Sequence, residues 1–242
     1  MIRLLFIILM TLPLSVSGKG KIYAVLVGVS EYQQSANNLL YSSQDAIEMY
    51  ELLKNYSAPE NMILLTNSQA KSNVIVSYTK QLFQRAQPED IVIFFFSGHG
   101  YTNLFFAYDT YLNFGVLQKI FKQCKAKRKL IFADSCLSGT MRQPGSQSST
   151  NSQNMGKNVL LLLSSRSNQF SQEDPSLRNG EFTYFLLAGL RGGADINKDS
   201  YITAKELFDF VNPKVKERTN GSQIPVMWGK FDENMIILKL KN

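Results

Sequence analysis

Ile91-Val92-Ile93-Phe94-Phe95-Phe96-Ser97-Gly98-His99-Gly100 reads as a strand buried on both faces that ends in a glycine-containing loop. His99 is the single histidine of the chain. The next run of this kind, Leu130-Ile131-Phe132-Ala133, empties into Asp134-Ser135-Cys136-Leu137-Ser138-Gly139 and carries one of the two cysteines. In an open parallel sheet, ligands bind outside the carboxyl ends of the strands. A thiol is a poor nucleophile until it is deprotonated, and a neighbouring imidazole stabilises the thiolate. His99 and Cys136 together therefore read as a base and its nucleophile. The backbone N–H groups of Gly100 and Cys136 are candidate donors to the oxyanion that such an attack creates.

Outward from this stretch, strand-like and helix-like segments alternate. Ile22–Val29 is a β-branched-rich run; a helix follows from Ser43, with Ala46, Met49, Tyr50 and Leu53 on one face. Asn61–Thr66 is a second strand, Val74–Gln87 a second helix and Asp90–Phe96 the third strand. A short β excursion spans Phe105–Leu112, and Val116–Cys124 is a helix leading to the Cys136 strand. Val159–Ser164 resumes the sheet; helices Phe182–Leu190 and Ala204–Lys216 and a final strand Met235–Leu240 complete the chain. Uninterrupted apolar strands separated by helices imply a mostly parallel sheet covered on both faces, an α/β architecture.

Two stretches stand apart. Residues 142–157 are Ser-, Gln- and Asn-rich with almost no apolar side chain, the composition of a mobile linker. At the start, Arg3, the apolar run Leu4–Leu14 and the small residues Ser15-Val16-Ser17 have the three regions of a secretion signal, with cleavage before Gly18. Residues 1–17 are thus expected to be a signal peptide and 18–242 a single exported domain, secreted or periplasmic. The apolar run is 11 residues, too short to span a bilayer, so no membrane span is expected after its removal. The net charge of +7 is dispersed, apart from Lys125-Ala126-Lys127-Arg128-Lys129 in a short link into a strand, and argues for no nucleic-acid partner. A Cys124–Cys136 disulfide is the competing use of the two cysteines, and it would disable the nucleophile.

Ser97-Gly98-His99-Gly100 with Asp134-Ser135-Cys136-Leu137-Ser138-Gly139 resembles the caspase-like cysteine peptidases, closest to metacaspases and bacterial caspase homologues. The likeness runs from about Lys21 to Lys239 and departs from the Gln-Ala-Cys of animal caspases with Asp-Ser-Cys. It implies a caspase-like three-layer sandwich and a dyad of His99, the proton shuttle, and Cys136, the attacking thiolate. It also implies that Asp45 and Asp134 line the pocket for the P1 side chain, with Ser42 and Ser97 as polar lining, and that this pocket takes Arg or Lys through charge-assisted hydrogen bonds. Protein or peptide substrates with a basic P1 residue are then the partners. From its own position, Asp45 could equally be an acid placed at a helix start to suit the macrodipole. Caspase relatives often mature by cutting the segment after the nucleophile strand, and Arg142 and Lys157 bracket that segment as self-cleavage candidates.

The resemblance requires no cofactor. Asp195, Asn197, Asp199 and Glu206 fall at EF-hand-like spacing and are calcium candidates, although Ser200 replaces the expected glycine. The alternative is a structural loop in which Thr203 and Glu206 form a capping box. Ser164-Ser165-Arg166-Ser167-Asn168 is a candidate flank of the substrate groove. Two rival functions stand beside the peptidase: a catalytically silent caspase-like module that binds peptides, and a phosphatase using the Cys-x5-Arg spacing of Cys136 and Arg142.

Overall fold

Every residue of Ile22–Gly28 (β1) and of Ile91–Ser97 (β3) is buried, as strands covered on both faces must be. The computed structural model describes residues 20–101, 103–135, 156–165 and 171–241. The proposed signal peptide, Cys136, Arg142, most of the 142–157 linker and Arg166–Asn168 lie outside these residues.

Between the first strands lie α1 (Ser42–Leu53), β2 (Met62–Thr66) and α2 (Ser72–Gln84). The β excursion expected across Phe105–Leu112 is a separate three-stranded antiparallel sheet of β4 (Gly100–Tyr101), β5 (Leu104–Phe106) and β6 (Tyr111–Asn113). Then come α3 (Phe114–Gln123), β7 (Arg128–Asp134), β8 (Val159–Leu163), and a hairpin of β9 (Glu173–Asp174) and β10 (Asn179–Gly180). The chain continues through α4 (Glu181–Ala188), β11 (Tyr201–Thr203), α5 (Ala204–Arg218), β12 (Val226–Lys230) and β13 (Ile236–Lys239).

The central sheet has the order β12-β8-β7-β3-β1-β2, parallel except for the edge strand β12, which runs antiparallel to β8. Alternation along the strands divides the core in two. Tyr23, Val25, Val27, Phe94, Phe96 and Ile131 pack with α2 and α3. Ala24, Leu26, Phe95, Leu130 and Phe132 pack with α1, α4 and α5 on the other face. These are the three layers of the expected sandwich. The final strand exists, but β13 pairs with β11 outside the central sheet, and the sheet's place at that edge is taken by β12. Val226–Lys230 is short, half-exposed and interrupted by Gly229, so its hydrophobic pattern is weak.

Register positions the site. Gly28 pairs with Ser97 and Ser97 with Asp134, one row across the carboxyl edge. All three continue the alternation that faces α1 and α4: Gly28 follows Ala24 and Leu26, Ser97 follows Ile93 and Phe95, and Asp134 follows Leu130 and Phe132. A Cβ at Gly28 would lie 2.2 Å from the Ser42 carbonyl oxygen, so glycine lets the start of α1 settle onto this edge. That contact delivers Asp45, one turn into α1, beside Ser97 and Asp134.

Candidate active site

Asp45 is almost fully buried, and none of its bonds is to its own helix. Its Oδ2 accepts from Ser97 Oγ at 2.7 Å, and its Oδ1 accepts from Asn179 Nδ2 at 3.0 Å and from the Gly180 N–H at 3.1 Å. Asp45 thus lies in the first turn of α1 and also faces the neighbouring strand end and hairpin. The start of α1 is served by another acid, Glu173, which accepts from the Leu40 and Tyr41 N–H groups at 2.8 Å each. Glu173 also accepts from Ser42 Oγ at 3.4 Å. Asp134 Oδ2 accepts from the N–H and the hydroxyl of Thr183 at 3.1 and 2.8 Å.

These acids converge on one cavity of about 250 Å³, bounded by Ser42, Asp45, Ser97, His99, Gly100, Asp134, Glu173 and Gly180 among others. No Lys or Arg is among its described lining residues. Burial pushes the Asp45 carboxyl well above the usual range, and the charge of Asp134 pushes it further. Burial likewise raises Asp134 to about 6, against the lowering effect of the Thr183 bonds. Two carboxylates are thus held close together in a low-dielectric site with no cation among its described lining residues. Gly180 is the wall between them, since a Cβ there would lie 2.2 Å from Asp134 Oδ2 and 3.2 Å from Asp45 Oδ2.

His99 stands at the mouth of the same cavity. Its Nε2 is 2.9 Å from the Asn37 carbonyl oxygen, and its backbone N–H donates to the Tyr32 hydroxyl at 2.8 Å. A carbonyl only accepts, so this contact assigns the neutral imidazole's proton to Nε2 and leaves Nδ1 as the basic nitrogen. The strand end after β8 supports the neighbouring loop, because the Ser135 N–H donates to Ser164 Oγ at 3.0 Å. Ser164 is fully buried and so acts from beneath the loop that leads to Cys136; Cys136 lies outside the described residues.

The structure therefore brings together His99, Gly100, Asp45, Asp134, Ser42 and Ser97. It adds Glu173, Asn179, Gly180, Thr183, Tyr32 and Asn37, which sequence reasoning missed. The hairpin that supplies Glu173 and Gly180 has only two residues per strand, too few for any periodicity.

The remaining candidates lie elsewhere. Cys124 is buried and unbridged at the amino end of β7, whereas Ser135 follows its carboxyl end. A strand of that length spans roughly 20 Å, and Cys136, the other half of the bridge weighed from the sequence, lies outside the described residues. Lys157 is exposed and adjoins the amino end of β8, at the edge of the sheet opposite His99. Glu206 is committed to a capping box with Thr203, and Asp195, Asn197 and Asp199 accept backbone N–H groups of their own loop. Among the described residues, no group of three or more His, Cys, Asp or Glu is arranged to hold a metal ion, and no helix is long and apolar enough to cross a membrane.

The fold has solved counterparts. Caspase-1 from Spodoptera frugiperda matches with a TM-score of 0.70 at 16% identity, covering 91% of this chain and 91% of that one. A Geobacter sulfurreducens protein matches with a TM-score of 0.65 at 18% identity, covering 88% of this chain and 94% of that one. No curated relative matches at the level of sequence. The family model described as "Caspase domain" matches residues 21–235, nearly the whole described span, and the chain belongs to that family of caspase-like cysteine peptidases.

Proposed function

We propose that the protein is a cysteine endopeptidase that cuts after Arg or Lys, with Cys136 as nucleophile and His99 as base. The observation that carries the specificity is the cavity beside His99, with three carboxylates and no cation among its described lining residues. A guanidinium or ammonium entering it neutralises charge that burial otherwise penalises, whereas a P1 Asp would add a further carboxylate and be repelled. In the reaction, Nδ1 of His99 takes the thiol proton and the thiolate attacks the carbonyl carbon of the scissile bond. The carbonyl oxygen then becomes an oxyanion, facing the N–H groups of Gly100 and Cys136. The C–N bond breaks as the imidazolium returns its proton to the leaving nitrogen, and water then hydrolyses the thioester with His99 again as base. The Asn37 carbonyl, bonded to Nε2–H, orients the ring.

This chemistry calls for no cofactor and acts on protein or peptide substrates, after export of the chain. Self-processing at Arg142 or Lys157 is part of the same proposal. Because Lys157 adjoins the sheet edge opposite the site, cutting there is the work of a second molecule. The test incubates the protein from Gly18 onward with reporter peptides carrying P1 Arg, Lys or Asp, with calcium or with a chelator, beside Cys136→Ala. Cys136-dependent turnover after Arg and Lys, in either condition, is expected. Preferred cleavage after Asp would overturn the acidic pocket. Tight binding of Arg peptides without turnover by the unsubstituted protein would make it the silent binding module instead.

A further inference from the structure

The outer face of the small sheet β4-β5-β6 is apolar where it should be polar. Its inner face is core: Phe105 and Leu112 pair with each other and are buried. An antiparallel sheet with one face in the core ordinarily turns polar side chains outward. Here the outward positions are Tyr101, Leu104, Phe106, Tyr111 and Asn113, four of the five aromatic or apolar, and Tyr101 is 61% and Tyr111 58% exposed. The face begins at His99. The Phe106 N–H donates to the His99 carbonyl oxygen at 2.9 Å, and the Phe106 and His99 rings lie 6.2 Å apart. Tyr111 then meets Phe106 edge-on, with ring centroids 4.8 Å apart.

None of these five residues lines the acidic cavity, whose lining beside the acids includes Leu39, Ser42 and Gly98. That division matters for the leaving group. The nitrogen that departs when the scissile bond breaks takes its proton from His99, so the chain beyond the cut must pass over this imidazole. With the P1 side chain in the acidic cavity, the departing segment runs onto the flank that the cavity does not occupy. That flank is the aromatic one.

We infer that this face is the subsite for the leaving side of the substrate, selecting an aromatic or large aliphatic side chain at the first or second position after the cut. The inference rests on the peptidase reading above, and its test separates the two. Quenched-fluorescence peptides share one non-primed sequence ending in P1 Arg and carry Phe, Leu, Gly or Asp at P1′ and P2′. An Arg-aminocoumarin substrate, which has no primed residues, reports the dyad and the acidic cavity alone. Phe and Leu peptides should exceed Gly and Asp peptides in kcat/KM by about tenfold, the scale of one apolar side chain entering a subsite. Tyr111→Ser and Tyr101→Ser change exposed side chains, so their folding is secure; the preference should shrink to about threefold or less in the double variant. Equal kcat/KM for all four peptides, with the aminocoumarin substrate still cleaved, would overturn the subsite and leave the peptidase reading standing. Absence of Cys136-dependent turnover of every substrate would overturn both.

Discussion

Replacing Asp134 with Asn should stabilise the protein at neutral pH while removing its activity toward Arg substrates. Burial raises this carboxyl from 3.8 to about 6. The folded state therefore holds the proton more tightly than the unfolded chain does, and unfolding releases it between about pH 4 and pH 6. Stability falls as pH rises through that window, and above it the full difference is lost, about 3 kcal/mol for a shift of some two pK units. Asparagine keeps the shape: its amide oxygen can accept both Thr183 bonds that Asp134 Oδ2 now takes. Without the charge it also relieves Asp45, whose carboxyl Asp134 pushes upward. Urea unfolding should then find Asp134→Asn more stable than the parent by about 2–3 kcal/mol at pH 8 and nearly equal to it at pH 4. In the same samples, kcat/KM for an Arg-aminocoumarin substrate should fall by about 100-fold or more, since a desolvated charge partner has been removed. The parent enzyme's own kcat/KM should climb as pH passes through 6. A variant that is destabilised at pH 8, or shifted equally at both pH values, would refute the account of a carboxylate held against its own burial.

Two further substitutions probe the wall of the cavity. Gly180→Ala puts a Cβ onto Asp134 Oδ2 and against Asp45 Oδ2, so the acids must separate; KM for Arg substrates should rise about tenfold or more, as overpacking of 1–3 kcal/mol implies. A KM unchanged in that variant would mean that P1 does not enter between these acids. Arg218→Ala acts from outside: its guanidinium donates to Asp174 and Glu181, one in the hairpin and one at the start of α4, and also to the Ser176 hydroxyl. Loss of that clamp should loosen Glu173 and Gly180 together, raising KM severalfold while kcat stays nearly constant. A fall in kcat with KM unchanged would place Arg218's effect elsewhere.

The central sheet was readable because its strands announce themselves. Six consecutive apolar residues before Ser97, and four before Asp134, permit no surface position, and helices between such strands force parallel pairing. The same arithmetic put His99 and Cys136 at the ends of two successive strands, whereas Asp134 and Ser97 came to the pocket only through the family resemblance. The missing parts share one cause: each acts across a long sequence separation through a segment with no pattern of its own. Glu173 meets Tyr41 across 132 residues, and Asn179 meets Asp45 across 134. Asn37 reaches His99 through a backbone carbonyl, a group that every residue carries. The edge strand β12 was hidden by Gly229 and by its half-exposed side chains.

Burial of an acid alone does not mark this site, as Asp90 demonstrates. It too is nearly inaccessible, and its two oxygens accept the Lys21 and Gln87 N–H groups at 2.7 Å each, tying the amino ends of β1 and β3 together. It has the charge of Arg128 for a neighbour and faces no other buried acid in the core. Asp45 and Asp134 accept backbone N–H groups as well, yet Asp45 has the charge of Asp134 for a neighbour and Asp134 that of Glu173, and all three line one cavity. A structural role for either could be met by Asn, which supplies the same acceptor without the repulsion. On the proposed reading, a cation in the cavity offsets this repulsion, and the cost carried by the empty protein measures the selectivity gained beside His99.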